Sequence, residues 1–489
     1  MKFSRRALVT GSTLAMSAVP LTSLAAAARS ERTVDPASGE SLALARFVER
    51  TRFEDLPADV VEMTKRALLD AIGVSLAASG LEPACKPFIE LALESGSRGD
   101  AAILGAGGRA SLALAALANG SLAHAMDYED AHEETRTHPN AAAIAAALPL
   151  AEHLGVSGRE LITAVALGCD VVCRLARALV SEGAPPPGFY QPAIVGTFGA
   201  TTVAAKLLKL TTEQILDAWS LALCQNSCSG EIQNSPDSTL RAVREGPCAR
   251  VGIESAQLAA KGVRGFGAPF EGRSGFFVMY AGGIQRSTLL VDLGVRFAGR
   301  DISFKAWPSC RDTHMYVQAA LELLAARPFD ADDIESITAL ATPQQMIVLE
   351  PADQKRRPRT AIAGKFSLYY TLATTFIDRR VDFASFSPEA LVRPRALALA
   401  DKVSYRVAPG KLTDVLEVKL RDGSLRRGAV TAVYGSPAAP LALDTLTAKF
   451  VDCGQQAQRP LAKAQLERIA TAILALDERD NVRALLAQL

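Results

Sequence analysis

Three of the chain's five histidines, His124, His132 and His138, fall within fifteen residues, in the stretch HAMDYEDAHEETRTHP. Asp127, Glu129, Asp130, Glu133 and Glu134 lie among them. Imidazoles and carboxylates at this density either bind a metal or move protons. The metal reading lacks its spacing: no HxH or HxxxH pair stands on a clear helix, and His138 precedes Pro139, which marks a turn. A helix-like run, NAAAIAAALPLAEHLG, follows at once. Residues just ahead of a helix start have access to backbone N–H groups that attract anions. The stretch therefore reads as a metal-free loop carrying a base and an acid, with His138 and Asp127 as the pair, beside an anion-binding helix end. His132, Glu133 and Glu134 read as solvated loop surface.

Three weaker clusters lie elsewhere. FKAWPSCRDTHMY (304–316) puts Lys305, Cys310, Arg311 and His314 around a proline bend. GKFSLYY (364–370) carries Lys365 and the Tyr369–Tyr370 pair, and LRAVREGPCARVG (240–252) carries Arg241, Arg244 and Arg250. Alone, each is weak, because a basic residue is usually solvated and a lone cysteine is usually packing.

These residues need a scaffold, and the chain supplies two kinds. From Leu42 to about Tyr280 helix follows helix: residues 60–79 and 158–180 space their apolar residues helically, and Thr211 with Gln214 forms a capping box. Gly, Ala and Ser recur in ARVGIESAQLAAKG (249–262), which suits close helix contact within a bundle or at a dimer face. After about Arg286 strands enter. Residues 333–342 alternate like a strand, and 414–430 reads as a hairpin with a type I′ turn at Asp422-Gly423 and Leu416, Val418 and Leu420 on one face. A helix is expected over 313–326, between the strands. The expected architecture is mainly α: a large all-helical domain (40–285), a smaller α+β lid domain (286–455), and C-terminal helices (456–489) packing back on the helical domain.

Composition narrows the partners. The chain has 489 residues, 49% of them apolar, with Lys+Arg 53 against Asp+Glu 52. No basic block stands out, so nucleic acid is not an expected partner and a small ligand is. Lys2 and Arg5-Arg6 precede a mildly apolar run ending at small residues near Ala28, which reads as a signal peptide of twin-arginine type over residues 1–28. An uncleaved anchor is the alternative, but glycine and hydroxyl residues in the run argue against it. Export to the periplasm or beyond is expected, with no membrane attachment after cleavage. Cys169/Cys173 and Cys224/Cys228 sit four apart in helical patterns, poorly placed for disulfides.

Taken together, the clusters resemble the MmgE/PrpD family, which includes 2-methylcitrate dehydratases, cis-aconitate decarboxylases and iminodisuccinate epimerases. The matching stretches are RALLDAIGVSLAAS, NGSLAHAMDYEDAHEETRTHPNAAAIAAALPLAE, GTFGATTVAAKLLKLTTEQILDAWSLALCQNS, GIESAQLAAKGVRGF with FEGRSGFF, FKAWPSCRDTH and KFSLYYTLATTF, in family order over nearly the whole chain after residue 28. The resemblance implies a homodimer, no cofactor and a small carboxylic acid as substrate. Carried over by motif, Asp127, His138, Lys305 and Tyr370 are the expected catalytic residues. Asp130, Tyr190, Arg241, Arg244, Cys310 and His314 are the expected substrate-binding ones. The chain departs from the family pattern at Ala131 (often Thr), Tyr190 (often His), Arg241 (often Lys) and Arg244 (often His). Arginine cannot give up a proton at working pH but clamps carboxylates bidentately. Tyr190 donates a hydrogen bond but is a poor base near neutrality.

The expected chemistry is proton removal or addition next to a carboxylate, with His138 or Asp127 as base. Lys305, Arg241 and Arg244 would stabilise the developing charge, and Tyr370 or His314 would return a proton or assist a leaving hydroxyl. A lyase, foremost a hydro-lyase, heads the readings, and decarboxylation is less expected because of the altered pocket residues. An epimerase using the same residues is the alternative, and a carboxylate-binding protein without catalysis is the third.

Overall fold

The run of residues 141–151 is apolar all round, and a helix with no polar face has to lie inside. In the computed structural model of the chain, every residue of this helix from Ala141 to Glu152 is buried. The structure describes residues 39–95, 99–180, 188–235, 237–280, 286–408 and 414–489. The expected signal peptide lies outside them.

Helices Leu112–Ala125, Gly158–Val180, Gln191–Leu207 and Glu245–Ala260 pack around or next to Ala141–Leu154. The small residues at 249–262 prove to serve helix packing. A Cβ on Gly252 would lie 2.6 Å from that of Ala200, so only glycine lets these two helices approach so closely. The expected capping box forms: Thr211 Oγ1 accepts from Gln214 N, and the Gln214 side chain accepts from Thr211 N.

Two strands, β1 (Ala101–Ile103) and β2 (Gly108–Ala110), make a small antiparallel pair at the edge of the helical part. The α+β part holds β3 (Ile334–Ala341), β4 (Val403–Val407), β5 (Asp414–Leu420) and β6 (Leu425–Ala429) in the order β4-β3-β5-β6. β3 pairs with β4 in parallel and with β5 antiparallel. Helices Arg311–Ala326 and Leu368–Asp378 pack together beside the sheet. Leu416, Val418 and Leu420 are buried while Lys419 is exposed, as the alternation expected.

The hairpin turn differs from expectation. Leu420 N donates to Ser424 O, Gly423 N donates to Leu420 O, and only Gly423 takes a positive φ, of 83°. That is a type I turn closed by a left-handed glycine, whereas type I′ would have put Asp422 at positive φ as well.

The chain then returns to the helical part. Helix Leu443–Gln455 lies along Ala58–Leu81, so the return begins before residue 456, and Lys463–Leu474 packs against both. The last residue is tied in, its carbonyl accepting from Gly105 N at 2.9 Å. No single described helix is long and apolar enough to cross a membrane. All eight cysteines are free, with Cys224 exposed.

Candidate functional site

The acidic loop joins helix Leu112–Ala125 to helix Ala141–Leu154. Its path is set at Asp127, which adopts the left-handed region (φ 47°) and donates its N–H to the carbonyl of His124. Asp is among the few residues that visit this region at modest cost. The reversal turns Asp127, Glu129 and Asp130 inward, all fully buried. Ala131 then bridges to Ser303, and His132 pairs with Thr137 to close a small outward loop. Glu133 and Glu134 reach the surface and pair with Arg311 and Arg177. His132 does not: it is 1% exposed, with Nδ1 2.9 Å from the Thr135 hydroxyl, because the bridge to Thr137 folds it under the loop.

At the loop's centre lies a network of opposite charges. Lys305 Nζ, buried, donates to Asp127 Oδ1 at 2.5 Å and to the Asp127 carbonyl at 2.8 Å. Burial alone would raise the Asp127 carboxyl, but the Lys305 ammonium bonded to it holds it below its usual range. Glu129 is likewise opposed by burial, yet held well below its usual range by His124, His138 and Lys305. Glu129 Oε1 sits between two imidazoles, in a short contact with His124 Nδ1 and 2.9 Å from His138 Nδ1. The rings of His124 and His138 lie 4.7 Å apart. Burial and Arg244 push His124 down to about 3, so it is a neutral donor. Asp130 is pushed well above its usual range by burial and by nearby Asp70, while its Oδ2 accepts from Asn140.

These contacts fix the His138 tautomer. Nδ1 lies 2.9 Å from both the Asp130 carbonyl oxygen and Glu129 Oε1, two acceptors, so Nδ1 carries the hydrogen. Nε2 is the ring's open position, 4.0 Å from Asp127 Oδ1. It faces a cavity of about 210 Å³ whose wall includes Asp127, Ala131, His138, Tyr190, Arg241 and Cys310. Arg136, Arg311, Gln345 and Phe366 complete much of the rest.

Of the residues expected from sequence, the structure thus brings Asp127, His138, Tyr190, Arg241 and Cys310 to one cavity, with Lys305 directly behind Asp127. Burial pushes the Cys310 thiol up to about 12, so it stays protonated. Asp130 lies beneath the wall. Arg244 also falls short of the cavity, its Nε 3.0 Å from Glu245 Oε1 and its guanidinium 4.9 Å from the Tyr190 ring centroid. The helix start at Ala141 stands directly behind His138, but its first-turn residues are not in the wall.

Two residues are placed elsewhere. Tyr370 turns away: its hydroxyl donates to the Ser385 carbonyl at 2.8 Å and its ring packs with Val317, Phe386 and Leu391 in a separate apolar cluster. His314 is fully buried, with Nε2 3.2 Å from the Ser309 carbonyl and its ring against Trp307. Tyr370 is set by packing between helices and the segment around Phe386, and His314 by Trp307 and Ser309, contacts that sequence spacing does not reveal.

Glu129 and His124 are functional candidates that the sequence alone does not single out. Both stand in the cluster, but nothing in their spacing separates an inward carboxylate from an outward one. His124, Asp127, Glu129 and His138 offer donor atoms within 4.8 Å of one another, as a metal site would. However, Lys305 already neutralises Asp127, and Glu129 already accepts from His124 and lies against His138 Nδ1. A cation here would have to displace an ammonium and those protons, so the donor set suits proton transfer better.

The MmgE/PrpD N-terminal domain matches residues 42–288 and the MmgE/PrpD C-terminal domain matches residues 307–477. The chain belongs to the MmgE/PrpD family. Similar proteins include the cis-aconitate decarboxylase of Mus musculus, 25% identical over 90% of this chain and 91% of that protein. That of Homo sapiens is 27% identical over 69% of this chain and 71% of its own length, and that of Aspergillus terreus 24% over 75% and 78%. Of the four positions where the resemblance implies a departure, three line the cavity and Arg244 falls short of it. Ala131 and Tyr190 are in its wall, and Arg241 lays its guanidinium 3.5 Å from the Phe366 ring centroid. Arg241 NH2 also stands 3.4 Å from the Tyr190 hydroxyl.

Proposed function

We propose that this MmgE/PrpD protein is a lyase acting on a small polycarboxylic acid, with His138 moving the proton at the carbon next to a carboxylate. The observation that carries this is the His138 tautomer, with Nδ1 bonded to the Asp130 carbonyl beside the Glu129 carboxylate and Nε2 without a hydrogen-bond partner among the described residues, on a ring in the wall of a cavity that also holds guanidinium groups. Arg241 would hold a substrate carboxylate. The Lys305 ammonium, behind Asp127, would oppose the negative charge that develops beside it.

Decarboxylation fits this site better than the dehydration expected from sequence. Loss of water needs a second acid for the departing hydroxyl, and the two residues expected to supply it lie elsewhere, Tyr370 bonded to the Ser385 carbonyl and His314 beside the Ser309 carbonyl. Loss of carbon dioxide needs one donor. The carbon–carbon bond breaks, its electron pair passes into the system conjugated with a neighbouring carboxylate, and protonated His138 delivers a proton to carbon from Nε2. The names of the three relatives point the same way.

Incubation with cis-aconitate and with citrate in deuterated water tests this. Release of carbon dioxide with deuterium at a product carbon supports decarboxylation, and a new ultraviolet-absorbing alkene from citrate supports dehydration. Deuterium exchange without net loss of a group would make the protein an epimerase instead. Binding of these acids with neither exchange nor release would leave only a carboxylate-binding protein. His138→Ala should abolish turnover, and full activity in that variant removes His138 from the mechanism. A homodimer and export through the N-terminal segment belong to the same proposal, and sedimentation at micromolar concentration reads the first.

A further inference from the structure

Behind the cavity that holds His138 lies a second one, of about 370 Å³. The two share Arg241 and Phe366 in their walls. The second is walled by Arg241, Lys355, Arg357 and Arg359, and among the described residues Asp353 is the one acid in it. Two of these cations are committed elsewhere, Arg357 to Asp401 and Arg359 to Asp237. Lys355 and Arg241 have no carboxylate partner among the described residues. Arg241 is 6% exposed, and its buried Nε has no hydrogen-bond partner at all. Its flat face is covered by Phe366, which leaves its N–H edge as the part able to bind.

A buried cation without an anion is costly, and buried Arg241 beside half-buried Lys355 on one chamber marks a place for negative charge. Burial and the Arg241 guanidinium push the Lys355 ammonium down to about 8. An anion between the two would remove that repulsion. The backbone of Lys355 is also firmly anchored. Its carbonyl accepts from the Ser367 hydroxyl at 2.5 Å, which ties its turn to the start of helix Leu368–Asp378.

We propose that this chamber is a second carboxylate subsite, in which Lys355 and the edge of Arg241 hold the far carboxylate of a substrate whose reacting end lies beside His138. The inference rests on reading the first cavity as a polycarboxylate site. It makes Lys355 a specificity-determining residue: the chain selects acids with carboxylates at both ends, long enough to pass Phe366.

Calorimetric titration of the full chain with tricarballylate, glutarate and butyrate tests this without turnover. These acids share a reach of carbon chain and differ in the number of carboxylates. Wild type should bind tricarballylate and glutarate more tightly than butyrate. Lys355→Met should weaken the first two about tenfold and leave butyrate unchanged, and Lys355→Arg should restore most of the loss. Equal weakening of all three acids, or of none, overturns the subsite, as does a wild type that does not prefer glutarate to butyrate. Should Lys355→Met fail to fold, Lys355→Gln carries the same comparison. His138→Ala separates the two readings: unchanged turnover in it sinks the proton-transfer role while leaving the Lys355 result standing.

Discussion

Asp127 combines three costs, a left-handed backbone, full burial and a charge, and Lys305 offsets all three through its bonds to the carbonyl and the carboxylate. Removing one partner of such a pair strands the other. Asp127→Asn should lower stability by about 3–5 kcal/mol in urea unfolding, whereas the double variant Asp127→Asn/Lys305→Met should lose clearly less than the sum of the single losses. Glu129 touches both imidazoles, so Glu129→Gln, which offers an N–H where an acceptor is needed, should disturb the His138 ring. We expect kcat to fall roughly 10²–10⁴-fold with KM changed only a few-fold. His124 gives the protein an acid limit. Its folded value is depressed from 6.5 to about 3, so between those pH values the unfolded chain takes up a proton that the folded one refuses. Stability from this source is complete above pH 6.5 and is lost progressively as pH falls toward 3. Thermal melts at about pH 7.5 and about pH 5 should differ, and His124→Asn should narrow the difference.

At the scale of elements, the site is held from behind by the C-terminal return. Lys449, on helix Leu443–Gln455, donates to the Tyr128 carbonyl at 2.7 Å and to the Lys305 carbonyl at 3.0 Å, and its ammonium pairs with Asp70 Oδ1 at 2.7 Å. One ammonium thus fastens the segment bearing Asp127 to the segment bearing Lys305. Lys449→Met should lower both the melting temperature and kcat. Adding Asp70→Asn, which removes the stranded buried carboxylate, should recover much of the melting temperature but not kcat, since the two carbonyls stay unpinned. Lys449 shows what the sequence leaves hidden. The helices, the strands and the acidic loop are legible because apolar spacing and residue type are local properties. The inward turn of Glu129, the burial of His132 and the seating of Tyr370 away from the cavity depend on one left-handed residue, one two-residue bridge and the packing of one helix against its neighbours. None of these leaves a periodic trace. The motif that points to Tyr370 keeps its residue types while the hydroxyl serves Ser385.

On the scale of the whole molecule, the cavity lies where the helical part meets the α+β part. Asp127, His138, Tyr190 and Arg241 come from the first, and Cys310, Arg311, Gln345 and Phe366 from the second. Lys305 arrives from the segment between the two family domains, outside both matched ranges. The bond from Lys449 to Tyr128 spans 321 residues of sequence, and the final carbonyl, of Leu489, closes on Gly105. A ribosome therefore finishes the acidic loop long before it makes the residue that fastens it. Through most of synthesis, Asp70 and the Tyr128 carbonyl have no Lys449 to meet them. A product released before its C-terminal return carries the acids and His138 without the clasp that joins the Tyr128 and Lys305 segments.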